Sequence, residues 1–109
     1  MVNYNSTFVN TSGYVSTPLK LAVAVRALRH AFDMSQTELA DLANCSRPTI
    51  NRIESIDKAS PRTDTIERLM QVFRDRGVEV QITDSEVMIR FSAEAINMAT
   101  QTSTDTSEK

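Results

Sequence analysis

Apolar side chains recur at helical spacing from Leu21 through Val25 and Leu28 to Phe32, just after Pro18, which suits a first helical turn. This predicts a helix from about Pro18 to Phe32 that keeps Lys20, Arg26 and Arg29 off its core stripe and is closed by Asp33. Ser35 followed three residues later by Glu38 is a capping box. It opens a second helix over about Gln36 to Ala43 that buries Leu39, Ala40 and either Leu42 or Ala43. Asn44 tolerates the left-handed conformation of a tight turn. Ser46 caps a third helix, about Arg47 to Ser55, with Pro48 in its first turn and Ile50 and Ile53 inward. A fourth, about Thr63 to Arg76, presents Ile66, Leu69, Met70 and Phe73 to the core and ends at Gly77.

The period then changes from 3.6 to two. Val78, Val80 and Ile82 alternate with Glu79 and Gln81, and Val87, Ile89 and Phe91 alternate with Glu86, Met88 and Arg90. The polar Thr83-Asp84-Ser85 link joins them into a predicted β-hairpin. Such a hairpin is marginal alone, so its apolar face either covers the helical core or meets its twin across a two-fold axis. Residues 1–17, rich in Asn, Ser and Thr, read as an irregular arm. Residues 92–109 read as a polar tail without order beyond a short helix over Ala93–Thr100.

Composition narrows the class. Twelve Lys+Arg against 14 Asp+Glu leave a net charge of -2, which excludes a strongly basic protein. The charge is uneven: residues 19–76 carry ten basic and eight acidic side chains, residues 77–109 two and six. Nine of the basic residues are Arg, the side chain suited to planar, bidentate recognition. No apolar run approaches the roughly 18 residues of a membrane span, and the opening residues lack the pattern of a secretory signal. One cysteine, Cys45, and one histidine, His30, form neither a disulfide nor a four-ligand Cys/His zinc site. Fifteen positions apart on separate predicted helices, they offer no nucleophile–base pair either. The expectation is a cytoplasmic protein that is not an enzyme and needs no cofactor. Cys45 reads as a small core residue, and His30 as a complement to its helix dipole.

The second and third helices carry the informative spacing. From Gln36 as first position, the small Ala40 is fifth, the turn residue Asn44 ninth, and the anchors Ile50 and Ile53 fifteenth and eighteenth. That is the order of a helix-turn-helix, in which a small residue lets two short helices cross steeply. With Leu28-Arg29, Met34 to Ala40 and Cys45 to Glu54, residues 19–76 resemble the phage repressor and Cro family, also called the XRE family. Asp33 and Asn44 stand where that family commonly has Gly, and both tolerate positive φ. The family's usual fifth helix is replaced by the strand-like segment. The expected fold is mainly α: a four-helix repressor-like helix-turn-helix domain over residues 18–76, followed by the hairpin over 77–91.

The resemblance implies roles by position. The helix beginning at Ser46 would lie in the DNA major groove, with Arg47, Pro48 and Arg52 at base edges and Ser46, Thr49 and Asn51 close by. Arg47 or Arg52 would read guanine, and Pro48 would offer apolar contact to a thymine methyl. Gln36, with Thr37 beside it, matches a phosphate contact. Arg62, and Lys58 in the same loop, either touch the backbone or are plain loop charges. Arg29 and Glu54 match a partly buried ion pair. The implied partner is double-stranded DNA, bound by a homodimer at a near-palindromic site. Two functions fit: a transcriptional regulator, most often a repressor, or the antitoxin of a toxin–antitoxin pair that also binds a toxin.

Overall fold

The computed structural model describes residues 16–56 and 62–107, the last six of these by backbone alone. Four helices come first: α1 (Thr17–Ala31), α2 (Gln36–Leu42), α3 (Arg47–Glu54) and α4 (Thr63–Arg74). An antiparallel hairpin of β1 (Val78–Ile82) and β2 (Val87–Phe91) follows, and α5 (Ala93–Ser107) closes the described chain. The mainly α fold with a hairpin expected from the periodicity is therefore present. Of the irregular arm expected over residues 1–17, residues 1–15 lie outside the described residues, and Ser16 and Thr17 instead form the N-cap and first residue of α1.

Local chemistry marks several of the helix ends. Ser35 and Glu38 form the reciprocal capping box of α2. The Ser46 hydroxyl accepts from the Thr49 N–H at 3.3 Å to cap α3, whose Pro48 stands where no N–H is needed. Asp33 and Asn44 both adopt φ near +55°, the left-handed turns that stop α1 and α2. Ile56, just past α3, also has a positive φ of 59°, unusual for a β-branched residue.

Leu28, Leu39, Ile50, Leu69 and Phe73 are fully buried at the centre of the core. Ala40, 2% exposed, is the small residue at the α2–α3 crossing. Of the two alternatives at the end of α2, Ala43 is buried and Leu42 is half exposed. The apolar face of the hairpin closes the core from the other side. Val78 is buried, Val80, Ile89 and Phe91 pack against the cluster, and the Phe32 ring lies about 6 Å from both Phe73 and Phe91. Register pairs Val78 with Phe91, Val80 with Ile89 and Ile82 with Val87, so all six apolar side chains share one face. Four of them, Val78, Val80, Ile89 and Phe91, cover the chain's own core, and Ile82 remains exposed.

Two features depart from the sequence expectation. Lys20 is 6% exposed, not solvated, because its Nζ donates to the Thr83 and Asp84 carbonyls at the hairpin tip. Those carbonyls come from residues more than sixty positions away, so the helical pattern of α1 gives no hint of them. The second is α5, which continues to Ser107, well beyond Thr100. Ala95 is fully buried and Ala99 packs on the core, which fixes the first turns. Once those turns are fixed, propagation adds one hydrogen bond per residue without a new nucleation cost.

Gly77 links these layers. Its φ is +86°, and a Cβ there would overlap the Ser92 hydroxyl that caps α5. Gly77→Ala therefore combines left-handed strain with a steric clash. A loss of at least about 1–2 kcal/mol is expected in denaturant unfolding, with a lower midpoint and an unchanged slope.

Candidate nucleic-acid interface

The candidate surface is built on α3. Burial of Ile50, Ile53 and Glu54 fixes its inward side, and Arg47, Pro48, Asn51 and Arg52 are exposed on the other. Thr49 is half-buried, and its hydroxyl lies 2.9 Å from that of Ser46, so both belong to the cap. Thr37 is exposed on α2. Arg62 stands at the N-terminal boundary of α4, 84% exposed, with Nε 3.5 Å from Asp64. A surface pair of that kind holds weakly, because solvent screens it and two long side chains lose freedom. Lys58 lies outside the described residues.

A polar network beneath this surface holds the C-terminal end of α3. Arg29 of α1 donates from Nε and Nη2 to the two Glu54 oxygens at 2.7 and 3.0 Å, a bidentate pair, and from Nη1 to the Met34 carbonyl at 2.9 Å. Gln36 of α2 donates its amide to Glu54 Oε1 at 3.1 Å. The side chains of Arg29 and Glu54 are 14% and 6% exposed. The pair implied by the resemblance is thus present, and Gln36 joins it. One amide proton of Gln36 is committed to Glu54, and its second remains for another acceptor.

Burial alone would push the Glu54 carboxyl upward. Hydrogen bonds from Arg29 and Gln36, with the charge of Arg29 and the proximity of His30, outweigh it and hold Glu54 below the usual glutamate range. The Arg29 guanidinium is raised in turn, chiefly by its bond to Glu54. Cys45 is half-buried, and desolvation raises its thiol despite nearby Arg68, so it is protonated at neutral pH and packs as a small apolar group. Among the described residues, no group of three His, Cys, Asp or Glu side chains could hold a metal. None of the described helices is long and apolar enough to cross a membrane.

One polar residue at this site carries no sequence signal. Arg68 of α4 donates from Nε to the Ala43 carbonyl at 2.8 Å and lies 3.5 Å from the Asn44 carbonyl, in the turn between α2 and α3. On a helical wheel it is one more off-stripe charge, like Glu67 and Arg74, and its acceptors are backbone atoms that residue types do not mark.

A family model described as a helix-turn-helix domain matches residues 20–81. No curated protein and no solved structure matches the chain.

The buried pair makes two outcomes measurable. Glu54→Ala leaves a nearly buried guanidinium without its carboxylate and should cost about 3 kcal/mol, read as a lower melting temperature. The second outcome concerns pH. A carboxyl held below its ordinary value of 4.5 contributes stability that is complete above that value and is lost as pH falls through the folded-state value. The stability gap between the parent protein and Glu54→Gln should therefore be constant from pH 7 to about 5 and narrow in more acid solution. Parallel acid titrations followed by circular dichroism check this.

Proposed function

Since the chain belongs to the helix-turn-helix domain family, we propose that it is a sequence-specific double-stranded DNA-binding regulator of transcription. The observation that carries this is the division of α3. Ile50, Ile53 and Glu54 are buried, and Arg47, Pro48, Asn51 and Arg52 are all exposed. A helix about 10–12 Å across fits the major groove, and these four side chains would meet base edges there. Arg47 and Arg52 read guanine O6 and N7 through paired N–H donors, Asn51 suits adenine, and Pro48 a thymine methyl. Gln36, with Thr37, holds a phosphate through the amide proton that Glu54 leaves over. Arg62 exchanges its weak bond to Asp64 for the sugar–phosphate backbone. Lys58 acts with it.

Within that reading the protein is a repressor of the phage repressor and Cro type, acting in the cytoplasm. It binds a near-palindromic operator as a homodimer, because one module spans too few base pairs for useful selectivity. A net charge of -2 does not oppose this. The local field at α3 and Arg62 decides the approach of phosphates, and acidic side chains beyond a Debye length of about 8–10 Å are screened.

The roles separate experimentally. A duplex is first selected from a random library, and each variant is titrated against it, against single-base changes and against a scrambled duplex at two salt concentrations. Arg52→Ala should weaken the selected duplex about ten- to a hundredfold and flatten the preference at one base pair per half-site. Arg62→Ala should weaken all duplexes alike and reduce the salt slope by about one for each phosphate no longer neutralised. Equal loss on every sequence with Arg52→Ala would remove α3 as the reading helix. Failure of the parent protein to prefer any duplex would remove the function.

A further inference from the structure

We infer that Arg68 is the positioning residue that clamps the N-terminal end of α3, and so sets the angle at which its side chains are presented. This rests on the proposed DNA-binding function. Glu54, through Arg29 and Gln36, fixes only the C-terminal end of α3. With Ile50 and Ile53 buried in the core, the middle and C-terminal part of α3 are held, and its first turn, Arg47 to Thr49, is not. The other end is governed by the turn from Ala43 to Ser46, whose left-handed Asn44 leads directly into the Ser46 cap and Arg47. Ala43 and Asn44 carry carbonyls past the last turn of α2 that need an outside donor. Arg68 supplies it, with Nε on Ala43 and Nη2 toward Asn44.

The clamp has a rigid base. Arg68 stands beside Leu69 and Met70, which lock α4 into the core. Its remaining nitrogen, Nη1, lies 3.3 Å from Asp64 one turn earlier, so the guanidinium is held from both sides. The guanidinium fork is what allows one side chain to address two successive carbonyls and a carboxylate together, which a lysine ammonium does with less directional control. The side chain is 40% exposed, so its removal opens no cavity in the core.

Full-length Arg68→Ala and Arg68→Lys test this against the parent protein. In Arg68→Ala, affinity for the selected duplex should fall about tenfold, as the displaced side chains of α3 drift out of alignment, with scrambled-duplex affinity and salt slope unchanged. Arg68→Lys should lie between the two. Amide exchange of Cys45, whose N–H donates to the Ala40 carbonyl at 2.9 Å, should accelerate in Arg68→Ala without DNA, while the midpoint of global unfolding moves little. Equal loss on both duplexes with a shallower salt slope would make Arg68 a phosphate contact and overturn the proposal. Unchanged Cys45 exchange overturns it too, whether or not DNA binds. A parent protein that binds no duplex selectively, with exchange accelerated as expected, would remove the DNA reading and leave the clamp.

Discussion

The bidentate pair between Arg29 and Glu54 is the constraint on which the arrangement of the first three helices depends. It joins α1 to α3 across 25 positions of sequence, adds the Met34 carbonyl of the intervening turn, and takes up the Gln36 amide from α2. A buried ion pair contributes little net stability, because desolvating both charges offsets most of their attraction. Its effect is geometric. A planar guanidinium satisfied on two edges accepts one orientation of its carboxylate, so the roll of α3 about its axis is determined. With Ile50 and Ile53 seated in the core, the opposite face can only point outward.

The hairpin completes what four short helices cannot close alone. Two strands in isolation would be marginal, and here they gain stability by laying Val78, Val80, Ile89 and Phe91 over the helical core. Phe32 stands between Phe73 and Phe91, so one aromatic side chain at the end of α1 binds α4 to β2. Lys20 secures the far end by donating to carbonyls at the hairpin tip that would otherwise turn to solvent. Gly77 and Ser92 then bring α4, both strands and the start of α5 to one crowded point.

These two parts divide the work. The layer of α4, hairpin and α5 gives rigidity, and α2, the turn and α3 form the exposed module. Under the proposed function stiffness matters, because a base-reading contact depends on placement to within a fraction of a hydrogen-bond length. The polar residues that hold α3 lie mostly beneath its exposed face or behind its turn, where they do not compete with a ligand.

The local features were legible in the residues themselves. Periodicity and capping placed the first four helices and both strands close to their observed limits, because Ser35, Glu38, Ser46, Pro48 and Gly77 act on backbone atoms only a few positions away. The spacing of Ala40, Asn44, Ile50 and Ile53 likewise fixed the module and its outward face, and the resemblance pointed to Arg29 and Glu54. What lay beyond reach depended on partners distant in sequence or made of backbone. Lys20 looked solvated until its carbonyls arrived from the hairpin, and Arg68 looked like any surface arginine until the turn was folded beneath it. The alternation of the strands required a buried face, but either the chain's own core or a second copy could have supplied it. Only tertiary structure seats Val78, Val80, Ile89 and Phe91 on the chain's own core, because the sequence specifies which surfaces must leave water, and the packed chain selects what they meet.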